Sequence, residues 1–178
     1  MELIVELLNG LKLFALNPYF DERGNFCETF RESELQLFGI NDSFPQENQS
    51  ISQKNVLRGL HYQLSPAQGK LIRVVQGKAQ FIELDIRQSS ETLGQFAEIV
   101  IDAEDFNVLW VPPGFANGFL ALTDNLIISY KVTNYWNPLT EQTILYNDTD
   151  LQIPWLINNP IVSEKDKQGC PFKSAILL

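Results

Sequence analysis

Apolar positions along this chain come in short runs, rich in Val, Ile, Phe and Tyr, and each run stops at turn-forming residues. The pattern predicts strands over Lys12–Leu16, Asn25–Thr29, Ser50–Ser52, Val56–Gln63, Leu71–Gln76, Ala79–Ile86, Phe96–Ile101, Asn107–Val111, Gly118–Ala121 and Leu126–Val132. Breakers separate them at Asp21–Gly24, Gly77, Pro112–Gly114 and Thr123–Asn125. Many short strands at regular spacing point to an all-β sandwich or barrel. Helical periodicity is weak: Arg31–Phe38 offers one or two amphipathic turns, and the C-terminal region a further short helix. With no internal repeat, linker or low-complexity tract, residues 1–178 read as a single domain.

Composition alters this picture in a few places. Hydrophobic residues make up 44% of the 178 and charged ones 20%, both ordinary for a globular chain. A formal net charge of −9 disfavours nucleic acid and anionic membrane as partners. It also requires any phosphate-bearing ligand to meet a local basic cluster. Cys27 and Cys170 form no CxxC pair and read as free thiols of a reducing cytosol. No apolar run approaches the ~20 residues of a membrane span, and no basic segment precedes an apolar core at the N-terminus. The expectation is a soluble, cytoplasmic protein.

The chain has one histidine, His61, in Val56-Leu-Arg-Gly-Leu-His-Tyr-Gln63. One imidazole cannot build the two- or three-histidine metal site of many small β-barrel enzymes, so no metal ligands are assigned. A lone histidine can be a half-buried residue satisfied by a backbone carbonyl, or a general base near working pH. Strict alternation puts Leu57, Gly59, His61 and Gln63 on one face and Arg58, Leu60 and Tyr62 on the other. Arg58 and His61 then share a pocket only if Gly59 marks a bulge or the strand lies at an edge.

These residues, with Asp21-Glu-Arg-Gly-Asn-Phe-Cys-Glu28, Gln46-Glu-Asn-Gln-Ser50, Gln68-Gly-Lys-Leu71, Asp85-Ile-Arg87, Pro113-Gly-Phe-Ala-Asn-Gly-Phe119, Tyr130-Lys131, Asn147-Asp148 and Val162-Ser-Glu-Lys-Asp166, resemble the dTDP-4-dehydrorhamnose 3,5-epimerase family nearly end to end. The resemblance implies a double-stranded β-helix (jelly-roll, cupin-like) barrel with short helices. It implies a homodimer, and a dTDP-linked 4-keto-6-deoxy sugar as substrate. By the same resemblance His61 is the base, Asp166 its carboxylate partner, Tyr130 the acid on the opposite sugar face, and Lys70 the neighbour of the ketone oxygen. Arg23 and Arg58 would meet the diphosphate, with Gln46 and Asn48 nearby. Phe26 and Glu28 would hold thymine, on a strand that often reaches the neighbouring subunit's site. No redox cofactor is needed for such chemistry, in line with the absence of a GxGxxG fingerprint or P-loop.

Pattern alone offers plainer roles. Tyr130 shares a strand face with Leu126, Ile128 and Val132 and reads as core; Asp166, among Glu164, Lys165 and Lys167, reads as a solvated charge. Arg23 can pair with a neighbouring carboxylate, and Lys70 can be an exposed strand end. Three positions depart from the family: Asn117 stands where relatives usually carry histidine, Phe81 where they often have aspartate, and Trp136 where a second tyrosine is frequent. Asn117 and Trp136 keep a substrate-binding assignment as a polar contact and an aromatic face. The readings are 3,5-epimerisation, 3-epimerisation alone of a related 4-keto sugar, or a non-catalytic barrel that binds a sugar nucleotide.

Overall fold

The computed structural model describes residues 1–178 as two facing, mostly antiparallel sheets. The strands are β1 (Glu2–Leu7), β2 (Leu11–Ala15), β3 (Tyr19–Asp21), β4 (Gly24–Phe26), β5 (Gln46–Ser52), β6 (Val56–Gln63), β7 (Lys70–Gln76), β8 (Lys78–Asp85), β9 (Phe96–Asp102), β10 (Asn107–Val111), β11 (Phe115–Ala121), β12 (Leu126–Val132), β13 (Glu141–Thr143) and β14 (Ile161–Val162). Two short helices, α1 (Glu32–Gln36) and α2 (Glu164–Lys167), complete the chain with two single 3-10 turns. One sheet runs β1-β2-β10-β7-β12-β5 and the other β13-β6-β11-β8-β9, with β14 parallel to β6; β3 and β4 form a separate hairpin. This is the jelly-roll barrel that the resemblance implies.

The alternation that predicts these strands also distributes the core. Ile72, Val74, Leu109 and Ile128 from one sheet meet Phe81, Ile99 and Phe119 from the other, filling the space between. Strand β8 is buried on both faces, because its outward Ile82 and Leu84 are covered by Trp155, Phe172 and their neighbours in the C-terminal segment. The outer face of the first sheet is covered by α1 and its flanks, where fully buried Leu35 joins Phe14 and Trp110. Truncating Leu35 to alanine there removes contacts worth about 2–5 kcal/mol.

Most strand boundaries match the pattern within a residue, and those of β6, β10 and β12 match to the residue, while β11 begins at Phe115 instead of Gly118 because its pairing with β8 runs on to Asp85. Strand β4 ends at Phe26, short of the expected Thr29, because the chain turns toward α1. Strand β5 begins at Gln46, earlier than Ser50, since its polar residues face the interior cavity or solvent while backbone pairing with β12 continues. Strands β1, β3, β13 and β14 have no counterpart in the hydrophobic pattern.

Candidate active site

Both sheets wall a cavity of about 430 Å³. Arg58 and His61 on β6, Phe81 on β8 and Asn117 on β11 line it from one side. Lys70 on β7, Tyr130 on β12, and Gln46 and Asn48 on β5 line it from the other, together with half-exposed Trp136.

Arg58 and His61 share this cavity because β6 carries a bulge. His61 pairs with Asn117 and Arg58 with Phe119, so β6 holds one residue more than β11 over that interval. Gly59 sits at φ +121°, and a Cβ on it would stand 2.6 Å from the Gly118 Cα. A Cβ on Gly118 would in turn meet the Leu60 side chain at 2.6 Å. The two facing glycines therefore permit a close backbone approach that any side chain would block. Beyond the bulge Leu60 turns outward into the apolar cluster with Tyr62 and Ile82. Strict alternation thus fails at Gly59, and β6 is no edge strand, since β11 lies on one side and β13 and β14 on the other.

Asp166 reaches His61 from α2. Strand β14 pins the chain beside Val56 and Leu57, Ser163 then caps the helix by accepting the Asp166 N–H at 3.1 Å, and the carboxylate points inward. It lies 2.6 Å from His61 Nε2 and accepts the Gly59 N–H at 3.3 Å. At 2% exposure it is no solvated charge, whatever its charged sequence neighbours imply. Burial opposes its ionisation, yet the bond and charge of His61 and the Gly59 N–H together hold its carboxyl below the usual value. With Nε2 engaged, His61 keeps its other ring nitrogen for a ligand.

Lys70 is likewise no exposed strand end: it is buried, and its ammonium donates to the His61 carbonyl at 3.2 Å. Burial lowers its pKa, against the nearby charge of Glu83. Tyr130 does pack on the inter-sheet core as its pattern predicts, and it also lines the cavity. Burial and the neighbouring Glu141 raise its pKa, so the phenol holds its proton. Arg58 is steered by Ser52 Oγ at 3.2 Å and the Ile51 carbonyl at 3.4 Å. Gln46 links Asn48, at 2.8 Å, to the Trp136 N–H, at 2.9 Å. Arg58 and Lys70 supply the local positive charge that an acidic chain needs for an anionic ligand, and Glu141, on the same wall, is paired with Lys165.

Arg23, Phe26 and Glu28 lie away from this cavity. Arg23 pairs with Asp21 in its own turn, Glu28 with Arg31 at 2.6 Å, and Phe26 is 71% exposed. Conversely, the cavity takes in Gln49, Ser50, Gln68, Phe119 and Glu141, which sequence reasoning passes over. Behind Asn117 lies one more, Glu83, fully buried and accepting the Asn117 amide at 2.5 Å. Its signal was a carboxylate at an inward position of the otherwise apolar stretch Phe81-Ile-Glu-Leu84. The structure gathers no group of three or more His, Cys, Asp or Glu side chains that could hold a metal, and no helix is long and apolar enough to cross a membrane.

A β-barrel whose inner cavity gathers a carboxylate-bound imidazole, an ammonium and a phenol is the architecture of a small-molecule enzyme. The chain belongs to the dTDP-4-dehydrorhamnose 3,5-epimerase family of isomerases, whose sequence model matches residues 6–174. It is 40% identical to the dTDP-4-dehydrorhamnose 3,5-epimerase of Shigella flexneri, over 98% of each chain. It also resembles two crystal structures. One is the Bacillus anthracis dTDP-4-dehydrorhamnose 3,5-epimerase with TDP and PPi bound, at TM-score 0.93 and 36% identity over 96% of this chain and 98% of that one. The other is the Legionella pneumophila dTDP-6-deoxy-D-glucose-3,5-epimerase in complex with dTDP-4-keto-L-rhamnose, at TM-score 0.93 and 38% identity over 97% and 93%.

Proposed function

We propose that this protein inverts C3 and C5 of a dTDP-linked 4-keto-6-deoxy sugar through enolate intermediates. A C–H beside a ketone is acidic because its loss delocalises charge onto oxygen. Inversion then needs a base, a stabiliser at that oxygen, and an acid on the opposite face. His61 is the base, with Asp166 setting its tautomer and favouring the imidazolium once formed. Lys70 steadies the oxyanion, an effect worth about 2.7–4 kcal/mol for a well-placed donor. Tyr130 returns a proton from the other side. Supporting this assignment above all is the placement of His61 and Tyr130 on facing sheets of one cavity.

The diphosphate meets Arg58, with Gln46, Asn48, Asn117 and Trp136 around the sugar. The protein acts as a cytoplasmic homodimer in which the β3–β4 hairpin and the residues just after it carry Arg23, Phe26 and Glu28 to the neighbouring subunit's nucleotide. An isolated hairpin with exposed Tyr19, Phe20 and Phe26 favours that role. Incubation with dTDP-4-keto-6-deoxyglucose in D2O tests the chemistry. Deuterium entering C3 and C5 is expected; entry at C3 alone would make the protein a 3-epimerase, and none at either carbon would leave a binding barrel.

A further inference from the structure

Only two buried side-chain polar atoms in the molecule lack a hydrogen-bond partner, Ser50 Oγ and Glu83 Oε2, and both belong to this site. Ser50 lines the cavity directly. Glu83 does not: it is fully buried behind the wall, with one oxygen on the Asn117 amide and the other unengaged. A carboxyl in such a place costs stability unless it serves another group.

The sheet register shows which groups it can serve. His61, Asn117 and Glu83 form one row across β6, β11 and β8. From the facing sheet, Lys70 reaches that row and places its ammonium on the His61 carbonyl. The charged and titratable groups around Lys70 are Glu83 from β8, Glu141 from β13 with its partner Lys165 from α2, His61 from β6 and Tyr130 from β12. The neighbouring β10 offers only Val111 opposite Lys70. Glu141 is tied to Lys165, which leaves Glu83 as the acidic group near Lys70 with no cation of its own.

Resting on the epimerase reading above, we infer that Glu83 is a positioning residue for the reaction: it anchors the Asn117 amide beside the base and governs the charge of Lys70. Burial pushes the Glu83 carboxyl up to about 8, and the charge of Lys70 opposes that rise. Around neutrality Glu83 thus keeps its own proton and sets no counter-charge against Lys70. As pH rises past that point Glu83 ionises and becomes the counter-charge that delays loss of the Lys70 proton. Glu83 touches no substrate; it acts through Lys70 and Asn117.

The test uses the full-length protein labelled with ¹³C at lysine Cε, with the Lys70 signal assigned by its loss in Lys70→Gln. Glu83→Gln keeps the shape and removes the acidity; Glu83→Asp keeps the acidity. In Glu83→Gln, Lys70 should titrate roughly one pH unit lower than in wild type. The alkaline limb of the deuterium-exchange rate should move down with it, while dTDP affinity stays within about twofold. Glu83→Asp should restore both the Lys70 titration and the alkaline limb toward wild type. A folded Glu83→Gln protein whose Lys70 titrates as in wild type overturns the inference. If wild type exchanges no deuterium, the epimerase reading falls instead, and the lysine titration still decides the role of Glu83.

Discussion

Two regions of this molecule carry the residues that the family resemblance assigns, and they are built in opposite ways. Inside the barrel, His61, Asp166, Lys70 and Tyr130 are fixed by strand register, a glycine-permitted bulge and a capped one-turn helix. On the β3–β4 hairpin and just after it, Arg23, Phe26 and Glu28 have only near neighbours in sequence as polar partners, or none. An edge-to-face contact between Phe20 and Phe106, 5.9 Å between centroids, ties that hairpin to the barrel. The difference separates chemistry from recognition. The groups proposed to move protons are held inside the barrel by register, a helix cap and hydrogen bonds. Three of the groups proposed to hold the nucleotide, Arg23, Phe26 and Glu28, stand outside the cavity.

The sharpest way to break the comparison is at the centre of the rigid region. His61→Asn should abolish deuterium exchange at both carbons, a fall of at least 10²–10⁴-fold, because the chain has no other imidazole. NMR of the product pool in D2O checks it. Arg58→Ala, at the cavity but half free of it, should weaken dTDP binding about tenfold by calorimetry, since a charge-assisted contact contributes about 1.5–3 kcal/mol. Unchanged affinity would move the diphosphate elsewhere.

The hairpin should respond more gently. Phe26→Ala removes a stacking face worth about 1 kcal/mol and should weaken dTDP binding about fivefold without changing the melting temperature. Mixing it with His61→Asn protein sharpens the point. If the hairpin serves the neighbouring subunit, each mixed dimer regains one intact site, with its own His61 and its neighbour's Phe26. No recovery on mixing would return the hairpin to its own barrel. The smallest effect expected is none: prolonged EDTA treatment should leave turnover unchanged, because a single histidine and no acidic or thiol cluster gives a transition metal nothing to bind.

What the sequence discloses follows the same division. Strand β6 keeps its expected bounds although its alternation breaks at Gly59, and β12 is legible to the residue, because Leu126, Ile128 and Val132 alternate on its buried face. Strand β1 is not, since Leu3, Ile4 and Val5 run together, are exposed, and pair with β2 through an irregular register. Strand β13, Glu141-Gln-Thr143, has no apolar residue and is held by backbone pairing to β6, the Glu141–Lys165 ion pair and the Cys170 N–H on the Thr143 carbonyl. In the site, Tyr130 packs on the inter-sheet core, as its pattern predicts, and also lines the cavity, which the pattern does not disclose. Asp166 is hidden in sequence by its charged neighbours, because its burial comes from the β14 pairing and the Ser163 cap. Glu83 is hidden differently: only the strand register aligns this inward carboxylate with Asn117 and His61.

The central claim is that His61 and Tyr130 serve opposite faces of one sugar, and Tyr130→Phe in D2O tests it most directly. Removing the phenol proton takes away the donor for the inverted face and leaves the base intact. The enolate still forms at His61 and is reprotonated by the imidazolium that made it. The account predicts deuterium washing into C3 or C5 with configuration retained, while net epimerisation falls by roughly 10²-fold or more. Epimerisation at the wild-type rate in Tyr130→Phe would contradict it.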